Sequence, residues 1–260
     1  MIGILIHRLS PCISDHSRYI FRMPMCDPIH ETEAFAALDT GPVLLTVNRR
    51  LSRALMHRFT AYQQDQGSLA WETPDILPWG TWIARCLEQA TYLQEQETLP
   101  IRITSDQELA LWEDIIRDSE SARGLLHLGD TALQAKKAWE LYQHWDLEQV
   151  DDPLLWSSPD QEAWLEWSQE FVHRLEERGW LEEARWPKYV AHLLQNGGLT
   201  CPSQIIVAGF DQFTPLQERI LGILQEKHCP AFCLRCPECL GTAHRLAFAD
   251  REQEMCTAAT

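Results

Sequence analysis

The sequence is poor in lysine. Its 260 residues include four lysines, Lys136, Lys137, Lys188 and Lys227, and none of them follows a glycine. A phosphate-binding loop of the Gly-Lys-Ser/Thr type needs a lysine directly after its last glycine, because that side chain reaches the β- and γ-phosphates. The sequence therefore excludes such a loop in this chain.

Two other catalytic patterns are also missing. A metal-dependent nuclease of the PD-(D/E)XK type needs Glu-x-Lys at a strand end, but Glu226 and Lys227 are adjacent and no Glu-x-Lys occurs. The Gly-x-Ser-x-Gly elbow of an α/β-hydrolase is absent as well. No catalytic residue can be named, and whether the chain is an enzyme stays open.

Long hydrophobic runs are lacking too. The longest, Val43–Val47 and Ile205–Ala208, are strand-sized and far below the roughly 20 residues that cross a bilayer. The 9 cysteines are odd in number and lack the regular spacing of a secreted disulfide framework, which favours a reducing, cytoplasmic setting. A net charge of −16 argues against a protein that coats nucleic acid indiscriminately.

The first clear element is a strand that leads into a helix. Val43–Val47 is an apolar run suited to a buried strand, and Asn48 is a good helix N-cap. The residues that follow have a 3.6-residue period. Their apolar face holds Leu51, Leu55, Phe59 and Tyr62, and their opposite, basic face holds Arg49, Arg50, Arg53 and His57.

The middle of the chain is predicted to be helical and rich in acidic residues. Helices are expected over about Asp75 to Glu95, after a capping box that begins at Ser105, over 130–146, over 159–178 and over Pro187 to Gln195. After Gly197 and Gly198 the α/β pattern returns. Strands are predicted at Ile205–Ala208, Ala231–Leu234 and His244–Phe248, with a helix capped by Thr214 between the first two.

These elements predict an α/β core with a parallel sheet, interrupted by an all-helical insertion. We expect residues 1–24 to be a disordered or misassigned leader, with Met1, Met23 or Met25 as the true start. The first part of the core spans 25–96, the insertion 97–199 and the second part of the core 200–260. The chain ends in what resembles the first turn of a helix, so we expect it to be the front of a longer protein.

Three stretches together resemble a known family. VLLTVNRRLSRAL, ETPDILPWGTWIARC and AGFDQFTPLQ occur in the order and spacing of the N-terminal portion of AddB-like DNA repair proteins. The resemblance implies a P-loop-NTPase-like core of the superfamily 1 helicase type and a PD-(D/E)XK nuclease domain downstream. It also implies single-stranded or end-containing DNA and a helicase or nuclease subunit as partners.

The chain departs from an active helicase at the strand that would hold magnesium. Ala208 stands where the resemblance would align the metal-binding carboxylate, and Gly209, Phe210 and Asp211 complete a degenerate Walker B region. With no phosphate-binding loop either, we expect no ATP hydrolysis by this segment.

The resemblance implies that the turn after the first strand contacts DNA. Asn48, Arg49, Arg50, Arg53 and His57 are the candidate DNA-binding residues, and Arg58 adds to the same cationic cluster. The alternative is a solvated helix face whose arginines pair with the acidic insertion.

A cysteine run near the end of the chain is a candidate zinc or iron–sulfur site. Cys229, Cys233, Cys236 and Cys239 are close in sequence, and Cys236 and Cys239 have the two-residue gap of a zinc knuckle. Buried or incidental thiols are the alternative, and we expect no cofactor.

The chain contains 11 tryptophans, some of them in pairs three residues apart. Trp79 with Trp82 and Trp164 with Trp167 have the spacing of a buried helix face, which favours core packing over base stacking.

Together these observations favour a non-catalytic, helicase-like lobe that guides or scaffolds single-stranded DNA for a repair nuclease. The alternatives are a protein-interaction lobe without DNA contact, with the acidic insertion as its surface, and a small metal-binding regulatory module at the cysteine run.

Overall fold

The computed structural model describes residues 26–38, 41–93, 99–121, 127–147 and 158–235. Within these residues the fold is α/β, with a five-stranded parallel sheet and a largely helical remainder. Its strands are β1 (Asp27–Ile29), β2 (Val43–Thr46), β3 (Asp75–Pro78), β4 (Ile101–Arg102), β5 (Trp180–Leu181), β6 (Ile205–Ala208) and β7 (Ala231–Leu234). Its α-helices are α1 (Glu31–Leu38), α2 (Arg49–Asp65), α3 (Trp79–Leu93), α4 (Ser105–Asp118), α5 (Leu128–His144), α6 (Pro159–Arg178), α7 (Trp186–Gln195) and α8 (Pro215–Glu226).

The large sheet has the strand order β1-β7-β6-β2-β3, and every adjacent pair is parallel. From β2 the chain moves to β3 on one side, and it later returns to β6 on the other side of β2. The direction of winding therefore reverses between β2 and β6. In open α/β sheets, ligands bind in the crevice at such a switch point, outside the carboxyl ends of the strands.

The two faces of the sheet have separate hydrophobic cores. Leu44 and Ile206 pack with α1 and α2 on one face, while Val43, Leu45 and Val207 pack with α3, α7 and α8 on the other. Both faces are covered, so β2 and β6 are buried along their whole length.

A third core lies among α4, α5 and α6, which we call the helical block. Its centre is Trp112, which stacks on Phe171 with ring centroids 4.2 Å apart, and Trp139 contacts both rings. The chain enters and leaves this block through β4 and β5, which pair with each other in a two-stranded parallel sheet.

Several predicted elements are confirmed. Asn48, Ser158 and Thr214 cap α2, α6 and α8, each by accepting a hydrogen bond from a backbone N–H three residues on. Gly179 ends α6 with φ of 61°. The predicted strand at Ala231–Leu234 is β7.

Two predictions were wrong in detail. The helix predicted from Asp75 begins at Trp79, because Asp75–Pro78 is instead a strand, β3, paired with β2. The capping box begins one residue before Ser105: Thr104 is the N-cap, and its partner is Gln107.

Other parts of the chain were missed or fall outside the description. The sequence patterns did not predict β1, α1 or the short strands β4 and β5. The strand predicted at His244–Phe248 and the proposed leader at 1–24 lie outside the described residues.

Candidate nucleic-acid interface

The turn from β2 into α2 is held by side-chain hydrogen bonds on both sides. Thr46, which is fully buried, donates its hydroxyl to the carbonyl oxygen of Asn48 at 2.9 Å. The Asn48 side chain accepts from the N–H of Leu51 at 2.9 Å. Ser52 donates to the carbonyl of Ile76 at 2.8 Å, which ties α2 to β3. The first turn of α2 is therefore fixed relative to two neighbouring strands.

The basic face of α2 is exposed, as predicted. Arg49, Arg50, Arg53 and His57 are all solvent-exposed, while Leu55 and Phe59 on the other side are buried. The first turn carries no acidic residue. Because the amino-terminal end of a helix dipole is positive, these arginines add to a potential of the same sign.

Arg58 differs from Arg49, Arg50 and Arg53 in its ion pairing. Arg58 binds Glu31 of α1 at 2.6 Å. Within the part of the chain that the structure describes, Arg49, Arg50 and Arg53 make no ion pair, with the helical block or elsewhere. The alternative in which these arginines pair with the acidic insertion has no support among the described residues.

The end of β6 lies directly beside this turn. Val47 donates its N–H to the carbonyl of Ala208 at 3.2 Å, and Ala208 is 3% exposed. Asp211 is exposed, and Thr214 rather than Asp211 caps α8. The strand end thus carries a buried methyl group where the resemblance would place a metal-binding carboxylate.

Gly209 makes a close approach that the sequence did not reveal. Its φ is +76°, and an added Cβ would clash with Cδ2 of Leu51 and lie 3.3 Å from Cγ1 of Val47. Glycine allows both the left-handed backbone and the contact. The glycine in the AGFDQFTPLQ stretch was its only sequence signal.

The fold brings these two candidate groups together. The predicted DNA-binding residues, Asn48 to His57, begin at the carboxyl end of β2, and the degenerate region, Ala208 to Asp211, begins at the carboxyl end of β6. The two strands are hydrogen-bonded neighbours in parallel register, and the chain reverses its winding between them. The arginines therefore lie beside the crevice where α/β sheets bind ligands.

The paired tryptophans contribute to cores, as predicted. Trp79 and Trp82 are buried with ring centroids 5.5 Å apart, and Trp79 also meets Phe210 edge to face. Trp167 is buried in the helical block, where Trp164 donates its indole N–H to the carbonyl of Ala135 at 3.1 Å.

Two of the four cysteines of the run lie within the described residues. Cys229 is 1% exposed beneath the sheet, and burial raises the pKa of its thiol to about 11. Cys233 is half-buried in β7, where burial also raises its pKa. Cys236 and Cys239 lie outside the described residues. Among the described residues, no group of three or more His, Cys, Asp or Glu side chains is arranged to hold a metal ion.

A separate acidic groove of about 550 Å³ runs between α4 and α6. Asp118, Glu166 and Glu170 line it, together with Arg174, which donates to Glu170 at 2.7 Å and to Asp118 at 3.3 Å. Among the described residues that line the groove, the three carboxylates outnumber the guanidinium of Arg174, so this surface favours cationic groups.

The helical block also contains a buried ion pair. Lys136 donates to Oε2 of Glu108 at 2.7 Å and to the hydroxyl of Ser105 at 2.9 Å. The other carboxylate oxygen, Oε1, has no partner among the described residues. Burial raises the pKa of Glu108, and the hydrogen bond from Lys136 opposes the rise without cancelling it.

Searches with this sequence find no matching protein-family model and no matching curated protein. None of the described helices is long and apolar enough to cross a membrane.

Proposed function

We propose that this protein is the helicase-like, ATPase-inactive lobe of an AddB-like DNA repair nuclease, and that it guides or scaffolds single-stranded DNA. The observation that carries the proposal is the position of Arg49, Arg50 and Arg53. They are exposed, they are free of ion pairs within the described chain, and they lie beside the sheet's switch point.

The surrounding geometry suits a phosphate-binding surface. Nucleic-acid backbones are bound chiefly by Arg and Lys side chains and by helix N-termini, and this turn presents both. The hydrogen bonds of Thr46, Asn48 and Ser52 keep the turn rigid. A preordered turn loses little conformational freedom on binding, which favours affinity.

The same edge of the sheet argues against nucleotide hydrolysis by these residues. No lysine follows a glycine in the chain, and the β6 strand end has Ala208 in place of a carboxylate. We therefore assign the lobe a guiding role, with nuclease activity left to a downstream domain.

The test is fluorescence anisotropy of a labelled single-stranded oligonucleotide across a salt series. We expect binding that weakens as salt rises, because counterions are released from the phosphates. The triple variant Arg49→Glu, Arg50→Glu, Arg53→Glu should abolish it. An absence of binding by the wild-type chain at low salt would reject the proposal.

The acidic groove favours a second candidate, a protein-interaction lobe that binds no DNA. Its carboxylates would receive a basic segment of a helicase or nuclease subunit. This function predicts no oligonucleotide binding at any salt concentration. It also predicts that Glu166→Lys, which reverses one charge in the groove, weakens association with the partner, measured by analytical ultracentrifugation of the two purified chains.

A further inference from the structure

The cysteines of the described residues lie in one hydrophobic core. Cys86 and Cys229 are buried members of the core between the sheet and α3, α7 and α8, and three more thiols pack against it, those of Cys26, Cys201 and Cys233. All five are free thiols. Cys86 and Cys201 are far from the cysteine run in the sequence, so the fold brings together thiols that the run alone does not indicate.

Cys201 is a common neighbour of two buried thiols. Burial raises the pKa of Cys86 to about 12 and that of Cys229 to about 11, and the nearby Cys201 thiol adds to both increases. Cys86 is 5% exposed and Cys229 is 1% exposed, whereas Cys201 is partly exposed. A small oxidant in solution therefore reaches Cys201 before it reaches the other two.

Cys201 and Cys229 lie at the same edge of the sheet. Cys201 comes shortly before β6 and Cys229 shortly before β7, and these two strands are parallel neighbours. The N–H of Ile205 donates to the carbonyl oxygen of Pro230 at 2.9 Å, which joins the segments that lead into the two strands. Both thiols are thus at the amino ends of their strands, at the opposite edge from the arginines of α2.

We propose that Cys201 and Cys229 form a reversible disulfide when a peroxide oxidises Cys201. Hydrogen peroxide converts the Cys201 thiol to a sulfenic acid and is itself reduced to water. The sulfur of Cys229 then bonds to the sulfur of Cys201, the S–O bond breaks, and a second molecule of water leaves with the thiol proton. This modification site does not depend on the proposed function.

Burial of Cys229 determines how the reaction proceeds. The thiolate is the nucleophile, so a raised pKa slows the attack of Cys229 on the sulfenic acid. The two thiols belong to one chain and one core, however, and this proximity compensates for the small thiolate fraction. We therefore expect the disulfide to form over minutes to hours and to be reversed by dithiothreitol.

A second pair of neighbouring thiols, Cys26 and Cys233, serves as an internal control. Pro28 of β1 opposes Cys233 of β7, so Cys26 is two positions away from the residue that opposes Cys233. With strands about 4.8 Å apart and a rise of about 3.3 Å per residue, the two Cα atoms are about 8 Å apart. A disulfide requires Cα atoms within about 7 Å, so the pairing of β1 with β7 keeps this pair reduced.

The experiment treats the full chain with hydrogen peroxide, alkylates the remaining thiols and identifies linked tryptic peptides by mass spectrometry. No lysine or arginine lies between Cys229 and Cys233, so these two share one peptide and variants must assign the bond. We expect this peptide to be linked to the Cys201 peptide in wild type and in Cys233→Ala. The link should be lost in Cys229→Ala and in Cys201→Ala.

Two further readouts accompany the link. In Cys229→Ala the sulfenic acid of Cys201 has no partner, so its peptide should gain the mass of a sulfinic acid. The thermal midpoint of wild type and of Cys233→Ala should rise on oxidation and return with dithiothreitol, because a cross-link restricts the unfolded chain. The midpoint of Cys201→Ala, which changes a partly exposed position, should not respond to oxidation.

Several results would overturn the inference. They are a link from Cys201 to Cys86 or to any cysteine other than Cys229, a link that survives Cys229→Ala, and conversion of Cys201 to the sulfinic acid in wild type without a disulfide. Oligonucleotide binding does not enter this test, so its absence would reject the proposed function and leave the disulfide assignment standing.

Discussion

Gly209 lies in close contact with the first turn of the candidate interface. It has no side chain at the point where β6 ends against the first turn of α2, and the gap is filled by Leu51 and Val47. A methyl group added at residue 209 would require the Leu51 side chain to move. A glycine in a sequence indicates a turn, but which side chains occupy the space beside it is a tertiary property.

We predict that Gly209→Ala destabilises the fold by about 2 kcal/mol, from backbone strain plus the clash with Leu51. Gly67 is a matched control, because it has the same φ of +76° and open space around it. Gly67→Ala should cost only the backbone part, about 1 kcal/mol. Urea denaturation of both variants measures the difference, and equal losses would show that the contact with Leu51 is unimportant.

Glu108 gives the stability of the fold a pH dependence. Burial is the largest influence on its pKa and raises it, while Lys136 opposes the rise and Glu182 and Glu140 add to it. A carboxyl whose pKa is higher in the folded state stabilises the fold below its unfolded pKa. That contribution is lost as the pH rises through the folded pKa.

The free energy of unfolding of wild type should therefore fall relative to that of Glu108→Gln as the pH is raised from about 4.5, the ordinary value for this carboxyl. His144 titrates in the opposite sense, because burial lowers its pKa. Taking the difference between the two proteins at each pH removes that contribution. A difference that stays constant with pH would contradict a raised pKa for Glu108.

At the scale of elements, helices with local signals were predicted well and short strands were not. Ser158 with Pro159 and Thr214 with Pro215 mark the starts of α6 and α8, since capping is decided by neighbouring residues. By contrast, the residues of β3 were predicted to start a helix, because Leu77 fits the 3.6-residue apolar period of the residues that follow it. Its pairing with β2, 32 residues earlier, decides its conformation.

Pro78 is compatible with the strand conformation of β3. Pro78 has no N–H to donate, but among the described strands β3 lies at the edge of the sheet, with a neighbour on one side only. The next residue, Trp79, starts α3, where a missing hydrogen bond at the preceding position costs little. β1, which precedes the first recognisable pattern, is three residues long and pairs with β7.

Replacing Thr104 tests the revised start of α4. Thr104→Ala removes the hydroxyl that accepts from the N–H of Gln107, and we expect a loss of about 1 kcal/mol. Thr91→Ala is the control, because Thr91 lies within α3 and donates its hydroxyl to the carbonyl of Leu87, not to a helix-start N–H. Alanine is the better helix former there, so this change should be neutral or slightly stabilising. Thermal unfolding distinguishes the two, and similar shifts would argue against Thr104 as the cap.

The whole molecule contains separate cores, and this separation was only partly predictable. Glycines and the change in periodicity near residue 198 indicated that the α/β pattern resumes there. The sequence did not show that α7 packs on α3 and α8 with the sheet. The apolar face of an amphipathic helix does not indicate which element it packs against. The order of the strands, and with it the switch point, also arises from long-range pairing.

Phe171→Ala should test how far the helical block is independent of the sheet. Phe171 is fully buried against Trp112 and Trp139, so its truncation should cost about 3–5 kcal/mol. In hydrogen exchange, the backbone amides of α4, α5 and α6 should then lose protection, while those of β2 and β6 keep theirs. Val172→Ala, at a half-buried neighbour, should cost far less. Equal loss of protection in β2 and β6 would show that the cores unfold together.

The pairing of β4 with β5 affects how the helical block can be exchanged during evolution. Ile101 faces Trp180 across adjacent strands, so the two ends of the helical block lie about 4.8 Å apart. A segment with neighbouring ends can be gained, lost or exchanged as a module, because a short loop is enough to rejoin the chain. The sheet and the exposed arginines of α2 can thus keep their geometry while the segment between β4 and β5 is replaced.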